Sequence, residues 1–105
     1  MCPTIVLREG KPLLALGATG GRMIPNAIYN ILAQFIGLGA SIDDAVAAPR
    51  LHTDGNLDLT LERKWSEAEA DLLKKIGYNV KQGNGANAHA IFVDPKTGAS
   101  HYAAR

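Results

Sequence analysis

Two adjacent glycines, Gly20 and Gly21, are the residues in this sequence best placed to do chemistry. They follow an apolar run that ends at Leu16 and precede a helical pattern that begins at Ile24. Glycines at such a junction leave their backbone N–H groups uncovered by side chains, beside a helix start where further N–H groups lack partners. The arrangement favours a negative oxygen on a ligand or a transition state. A plain tight turn is the alternative interpretation.

The sequence around these glycines excludes two common phosphate-binding motifs. Residues 17–25 contain no G-x-G-x-x-G, and no Lys-Ser or Lys-Thr follows the second glycine. Neither a dinucleotide fingerprint nor a P-loop is therefore present.

Other residues that could suggest a metal or ligand site have simpler structural interpretations. His52, His89 and His101 are too scattered for a metal-ligand motif, so we expect no metal site and no cofactor. His89 and His101 fall on the two strands of a predicted hairpin, where we expect them to face each other. Trp65 lies beside a helix-capping sequence, and we expect it to pack on that helix and not to form a ligand platform.

Length, composition and charge limit the class of protein. The chain has 105 residues, enough for one domain or one half of a larger one, and 47% of them are hydrophobic against 20% charged. This balance argues against disorder. The formal net charge is +1, so we expect no nucleic-acid or anionic-membrane partner. No apolar stretch reaches the ~18 residues of a spanning helix, and we find no targeting signal.

The first half of the chain predicts a hairpin and two helices. Residues 4–7 and 12–16 are strand-like and flank a turn with Gly10. Residues 24–36 then have helical apolar spacing with a polar face opposite, and Ser41 is the N-cap of a shorter helix. The apolar positions of the first helix are Ile24, Ala27, Ile28, Ile31, Leu32, Phe35 and Ile36; those of its polar face are Asn26, Asn30 and Gln34.

The second half predicts one helix and four strand segments. Leu57, Leu59 and Leu61 alternate with polar residues as in a strand. Ser66 and Glu69 form a capping box for a third helix that ends at Gly77. The buried stripe of that helix is predicted to be Ala68, Leu72, Leu73 and Ile76. Residues 78–82 predict a strand, and residues 88–93 and 100–103 a final hairpin. The fold class is α/β of the α+β kind, with about three helices, mostly antiparallel sheet, and hairpins favoured over crossovers.

Five segments occur in one order and with near-fixed spacing, and together they resemble a known family. The resemblance is to the C-terminal part of the small subunit of the gamma-glutamyltranspeptidase (gamma-glutamyltransferase) family, and it covers essentially the whole chain. The Ala-Pro-Arg-Leu-His sequence is its most specific piece. The segments are residues 1–6 (MCPTIV), 17–25 (GATGGRMIP), 45–52 (AVAAPRLH), 66–77 and 90–95 (AIFVDP).

The resemblance implies a fold, an activity and a role for the glycines. Family members are N-terminal-nucleophile hydrolases with an αββα sandwich. Their precursor cleaves itself to expose a threonine, which attacks a gamma-glutamyl amide such as glutathione and passes the acyl group to water or an amine. At the positions of Gly20 and Gly21 the family's glycines donate N–H groups to the oxyanion. The implied partners are the rest of the parent polypeptide, including the large subunit, and the gamma-glutamyl substrate; members are often periplasmic or extracellular.

Several departures from the family pattern are visible. The nucleophilic threonine and a Ser-Ser pair that holds the glutamyl carboxylate would precede Met1, and the family's Asp-Pro-Arg would follow Arg105. Before the two glycines this chain has Thr19 where the family has a proline, and after them it has Arg22 and Met23 where the family has Ser-Arg. Thr19 and Arg22 could therefore change the choice of substrate. The match also places Cys2 outside the strand that carries the nucleophile. We therefore expect Cys2 to act as a small apolar residue and not as a catalytic one.

We therefore expect residues 1–105 to be a single domain or a fragment of such an enzyme, inactive alone and able to self-associate. The alternative is a stand-alone binding or scaffolding domain that reuses the fold and holds a small anion at Gly20 and Gly21.

Overall fold

Seven strands in two sheets organise the chain. A computed structural model describes residues 1–105, all of the sequence. The strands are β1 (Thr4–Arg8), β2 (Lys11–Thr19), β3 (Leu51–Thr53), β4 (Asp58–Leu61), β5 (Asn79–Gln82), β6 (Asn87–Val93) and β7 (Ser100–Ala104). The four-stranded sheet has the order β1-β2-β6-β7 and is antiparallel throughout. The three-stranded sheet has the order β3-β4-β5, with β4 and β5 parallel.

The three predicted helices are present, and their caps are the predicted ones. They are α1 (Ile24–Leu32), α2 (Ile42–Ala47) and α3 (Glu67–Ile76). The Asp44 N–H donates to Ser41 Oγ at the start of α2, and Ser66 and Glu69 form a reciprocal capping box at the start of α3. None of these helices is long and apolar enough to span a membrane.

Two local predictions need correction. The first helix does not stay α-helical to Ile36, because the chain widens into a π-type turn over Ala33–Gly37. The preference for hairpins over crossovers does not hold for β4 and β5: α3 lies between them and carries the chain back, so β5 runs parallel to β4.

The core lies between one face of the four-stranded sheet and the helices α1 and α2. Ile31 of α1 and Leu14 of β2 are fully buried there, and Ala88 lets the helices approach β6 closely. The full cluster consists of Leu14, Leu16, Ala18, Ile24, Ala27, Ile28, Ile31, Ile42, Ala45, Val46, Ala86, Ala88, Ala90 and Ala103.

The polar face of α1 and the apolar stripe of α3 are not where the sequence predicts them. Asn26 and Asn30 are half-buried, because their amides donate to the Thr53 and Leu51 carbonyl oxygens of β3 at 2.8 and 3.3 Å. No residue of α3 is buried, and Leu72 is 59% exposed. The periodicity forms the helix and α3 contacts β5, but only Leu73 of the predicted stripe is half-buried, and Ala68, Leu72 and Ile76 are exposed.

The outer face of the four-stranded sheet carries an uncovered apolar row. Strand register aligns Ile5, Ala15, Ile91 and Tyr102 side by side across all four strands. All four are exposed. A sheet with helices on one face and apolar side chains on the other is one half of a layered sandwich.

This row predicts that the purified 105-residue chain self-associates, because an apolar sheet face with open edge strands favours contact with a second surface. Sedimentation velocity should show a mass that rises with concentration. Ile91→Glu should weaken the association, whereas Leu38→Glu, at an exposed leucine outside the row, should not. A wild-type chain that stays monomeric at high concentration would contradict the prediction.

Candidate functional site

The Gly20–Gly21 turn joins the end of β2 to the start of α1. Strand β2 continues to Thr19, which pairs with Asn87 of β6. Gly20 has a φ of 143° and Gly21 a φ of 61°, and a short 3-10 turn over Gly21–Met23 then leads into α1. Both values lie where L residues with a side chain are strained, so the backbone of this turn depends on glycine.

The two glycines are required for different reasons. A Cβ on Gly20 would lie 2.8 Å from both Cα and Cβ of Ala86, so this position needs close backbone approach. A Cβ on Gly21 would meet no atom within 4 Å, so only its backbone conformation restricts it. The Gly20 N–H donates to no acceptor in the chain. Gly21 is the first residue of the 3-10 turn, so its N–H comes before the first hydrogen bond that the turn itself makes. The turn therefore presents backbone donors.

The Gly20 end of this turn borders an open cleft of about 400 Å³. Its walls come from the turn, from β3 and the loop that follows it, and from β4 and β5. Most of its lining is polar or charged. The lining residues are Gly20, Arg22, Met23, His52, Asp54, Asn56, Asp58, Thr60 and Lys81.

A chain of polar contacts runs along one wall of the cleft. Asn26 Nδ2 donates to the Thr53 carbonyl oxygen, which fixes the amide orientation, and the same nitrogen lies 2.9 Å from His52 Nδ1. Because an amide NH₂ only donates, Nδ1 is the acceptor and the ring carries its proton on Nε2. That Nε2 is 3.3 Å from Asp54 Oδ1, and Asp54 Oδ2 is 3.4 Å from Arg22 Nη2.

The remaining predicted residues lie elsewhere. His89 and His101 do not face each other as expected: His89 contacts the Tyr102 hydroxyl and His101 contacts Asp43, each at 2.7 Å. Strand register pairs His101 with Phe92, three residues from His89, and an odd separation puts the two rings on opposite faces of the sheet. The chain contains no cluster of three His, Cys, Asp or Glu side chains that could hold a metal ion.

Trp65 and Cys2 take no part in the cleft. Trp65 lies just before α3, as predicted, and its Nε1 donates to the Arg50 carbonyl oxygen at 3.1 Å, so it ties the start of α3 to β3. Cys2 is exposed ahead of β1.

Sequence reasoning missed a buried charge cluster behind the turn. Arg50 is 4% exposed and Glu62 7%. Arg50 Nε lies 3.2 Å from Glu62 Oε1, its backbone N–H donates to Oε2 at 3.0 Å, and Arg105 reaches the same carboxylate from the other side. Arg50 Nη2 also donates at 2.9 Å to the carbonyl oxygen of Ala86, the residue on which Gly20 packs.

The cluster shifts the pKa values of Arg50 and Glu62. Burial lowers the pKa of Arg50. Burial alone would raise the pKa of Glu62, but the hydrogen bonds from Arg105 and the Arg50 backbone, with the charges of both guanidinium groups, hold it below its usual value. No local signal indicated this burial, because Glu62 is the next polar position of the alternating pattern over residues 57–61 and is expected on its solvent face.

A helix-covered antiparallel sheet with a bare apolar face is one half of a layered sandwich, and its likeness to solved gamma-glutamyltranspeptidases assigns it to the αββα sandwich of the N-terminal-nucleophile hydrolases. The family model described as Gamma-glutamyltranspeptidase matches residues 1–105. The chain therefore belongs to the gamma-glutamyltranspeptidase family, in which it corresponds to the C-terminal part of the small subunit.

Individual relatives agree with this assignment. The glutathione hydrolase proenzyme of Escherichia coli (strain K12) is 33% identical over 98 residues, which are 90% of this chain and 17% of the relative. The acylase ACY 1 proenzyme of Pseudomonas sp. (strain SE83) is 36% identical over 99 residues, with the same two shares. A gamma-glutamyltranspeptidase from Pseudomonas nitroreducens, complexed with L-DON, superposes with a TM-score of 0.89 at 30% identity over 99% of this chain and 56% of that one. This chain thus spans about a sixth of the length of these curated relatives.

The charge cluster predicts an acid-sensitive contribution to stability. Because the pKa of Glu62 is lower in the folded state than in the unfolded chain, its contribution is complete above the unfolded value of about 4.3 and is lost as the pH falls through the folded value. Glu62→Gln should cost roughly 3 kcal/mol of unfolding free energy at pH 7, since it leaves two arginines uncompensated, and much less at pH 3. Denaturant unfolding at both pH values measures this.

The matched control is Glu9→Gln, at an exposed glutamate in the β1–β2 turn. It should leave the unfolding free energy within about 0.5 kcal/mol at both pH values. A loss for Glu62→Gln that stays equal at pH 7 and pH 3 would show that packing, not charge, explains its effect.

Proposed function

We propose that this chain forms part of a gamma-glutamyl amide hydrolase or transferase, of the glutathione type, and that Gly20 and Gly21 supply its oxyanion hole. The reaction is acyl transfer: a nucleophile from outside these 105 residues attacks the amide carbonyl, and the negative charge that develops on the oxygen accepts hydrogen bonds from the turn. The partners are the rest of the parent polypeptide and the gamma-glutamyl substrate.

The observation that carries the proposal is the geometry of the turn. An uncommitted Gly20 N–H borders a polar cleft of about 400 Å³ in a chain that belongs to this family. Ala86 contacts Gly20, and Arg50 holds the Ala86 carbonyl, so the donors are fixed before any substrate arrives. Donors that need no reorganisation are the ones that lower a barrier most.

Gly21→Ala in the full-length parent enzyme is the sharpest test. The added methyl group meets no atom within 4 Å, so the packing of the chain is undisturbed, but it stands beside the donor where the oxyanion would bind. Turnover of a gamma-glutamyl anilide should fall by about 10²-fold or more, with a much smaller change in substrate binding, because the ground-state carbonyl is the weaker acceptor.

Gly98→Ala is the matched control. Gly98 has a φ of 74°, a methyl group added there would also meet no atom within 4 Å, and the residue lies in the β6–β7 turn away from the cleft. Both substitutions should lower the melting temperature by a similar amount, since both strain a left-handed backbone. If Gly21→Ala changes the melting temperature alone and leaves turnover per folded molecule intact, the turn has no catalytic role.

The proposal also predicts that the purified 105-residue chain is inactive. In the family the nucleophile is a threonine exposed by self-cleavage, and it precedes the segment that this chain matches, so hydrolysis of a gamma-glutamyl anilide should stay at the uncatalysed rate. Absorbance of the released aniline measures this. Activity that survives repurification and disappears in Cys2→Ala would contradict the prediction and assign the nucleophile to Cys2.

A further inference from the structure

Arg22 is the charged residue nearest in sequence to the proposed oxyanion turn, and it shares the cleft with Gly20. It directly follows Gly21, so the turn that sets the donors also sets its backbone. Its side chain is 84% exposed, yet its guanidinium Nη2 stays 3.4 Å from Asp54 Oδ2. A guanidinium has five N–H donors, so one contact to Asp54 leaves most of them available.

Asp54 has a second contact beside the cleft. His52 Nε2 lies 3.3 Å from its other carboxylate oxygen, and the Asn26 amide contacts the opposite nitrogen of the same ring at 2.9 Å. The His52 side chain is only 14% exposed, which limits its rotation. The contacts from Asn26 to Arg22 therefore restrain a long side chain that would otherwise lose conformational entropy on binding a ligand.

The charges that line the cleft nearly cancel, so hydrogen-bond geometry and not net charge favours the binding of a particular ligand group. Lys81 adds a second cation, and Asp54 and Asp58 add two carboxylates, so the lining has no large net charge. Asp58 is occupied by the Asn79 amide at 3.0 Å. The guanidinium group of Arg22 therefore remains available beside the proposed carbonyl-binding position. Its planar pair of N–H donors matches a carboxylate better than the ammonium group of a lysine does.

We propose that Arg22 is a specificity-determining residue that binds a carboxylate on the leaving amine of the substrate. This inference rests on the proposed function. It deepens it by assigning to one residue of this chain the discrimination between gamma-glutamyl amides of anionic amines and those of neutral amines. The family resemblance implies that residues ahead of Met1 hold the glutamyl carboxylate, so we assign to Arg22 a carboxylate on the leaving amine.

Two chromogenic substrates that differ by one carboxylate test this in the full-length parent enzyme: gamma-glutamyl-4-nitroanilide and gamma-glutamyl-3-carboxy-4-nitroanilide. Arg22→Gln should lower kcat/KM about tenfold for the carboxylated substrate and less than about twofold for the neutral one, which is the scale of a charge-assisted contact. For Arg22→Lys, the kcat/KM for the carboxylated substrate should lie between those of the wild-type enzyme and Arg22→Gln, because lysine keeps the charge but lacks the planar donor pair. The selective loss should shrink at high salt.

Lys11→Gln is the control for charge alone. Lys11 begins the nine-residue strand β2, at the end opposite Gly20, and its replacement should leave the ratio of the two kcat/KM values unchanged. Equal losses on both substrates for Arg22→Gln, or no change in either, would overturn the inference while the proposed function stands. A wild-type parent enzyme that turns over neither substrate would instead overturn the proposed function, and this inference with it.

Discussion

The burial of Glu62 between Arg50 and Arg105 is the constraint on which the rest of this structure depends. A carboxylate that is 7% exposed is costly unless opposite charges and hydrogen bonds surround it, and here two guanidinium groups and one backbone N–H do so. Gly85 makes room for it, because a Cβ there would overlap the Glu62 carboxylate. The cluster joins the start of β3, the end of β4, the segment before β6 and the end of β7 at one point.

The geometry of the glycine turn follows from that cluster. Arg50 holds the Ala86 carbonyl oxygen, Ala86 lies against Gly20, and Gly20 accepts this contact only because it has no side chain. On the other side of the turn, α1 is tied to β3 by the Asn26 and Asn30 amides. The cleft therefore lies where the two sheets and α1 meet, and its walls are fixed by interactions that are not part of the cleft.

The same chain leaves large apolar surfaces uncovered. Only 19 of its 105 residues are buried, so the core between the four-stranded sheet and its helices cannot account for all of its apolar side chains. The row from Ile5 to Tyr102 and the exposed face of α3 with Leu72 and Ile76 are two of the uncovered apolar surfaces. In an αββα sandwich such a sheet face packs on a second sheet, which agrees with a chain that covers 56% of a matched structure and 17% of its curated relatives.

The sequence by itself determined the local structure. Capping at Ser41 and Ser66, the apolar spacing from Ile24, and the alternation that ends at Leu61 are decided by neighbouring residues, and they placed the helices and most strands. The junction at residues 20 and 21 was also visible, since two adjacent glycines separate an apolar run from a helical pattern.

Only the tertiary structure decided which faces are buried and which distant residues meet. Periodicity says that Leu72 and Ile76 share a face, but not whether another layer covers it. Nothing local links Arg50 to Glu62, twelve residues apart, or Arg22 to Asp54, because these contacts exist only after β3, β4 and the turn have packed. The physical reason is that capping and periodicity are satisfied within a few residues, whereas the burial of a charge is compensated only by partners that the whole fold brings together.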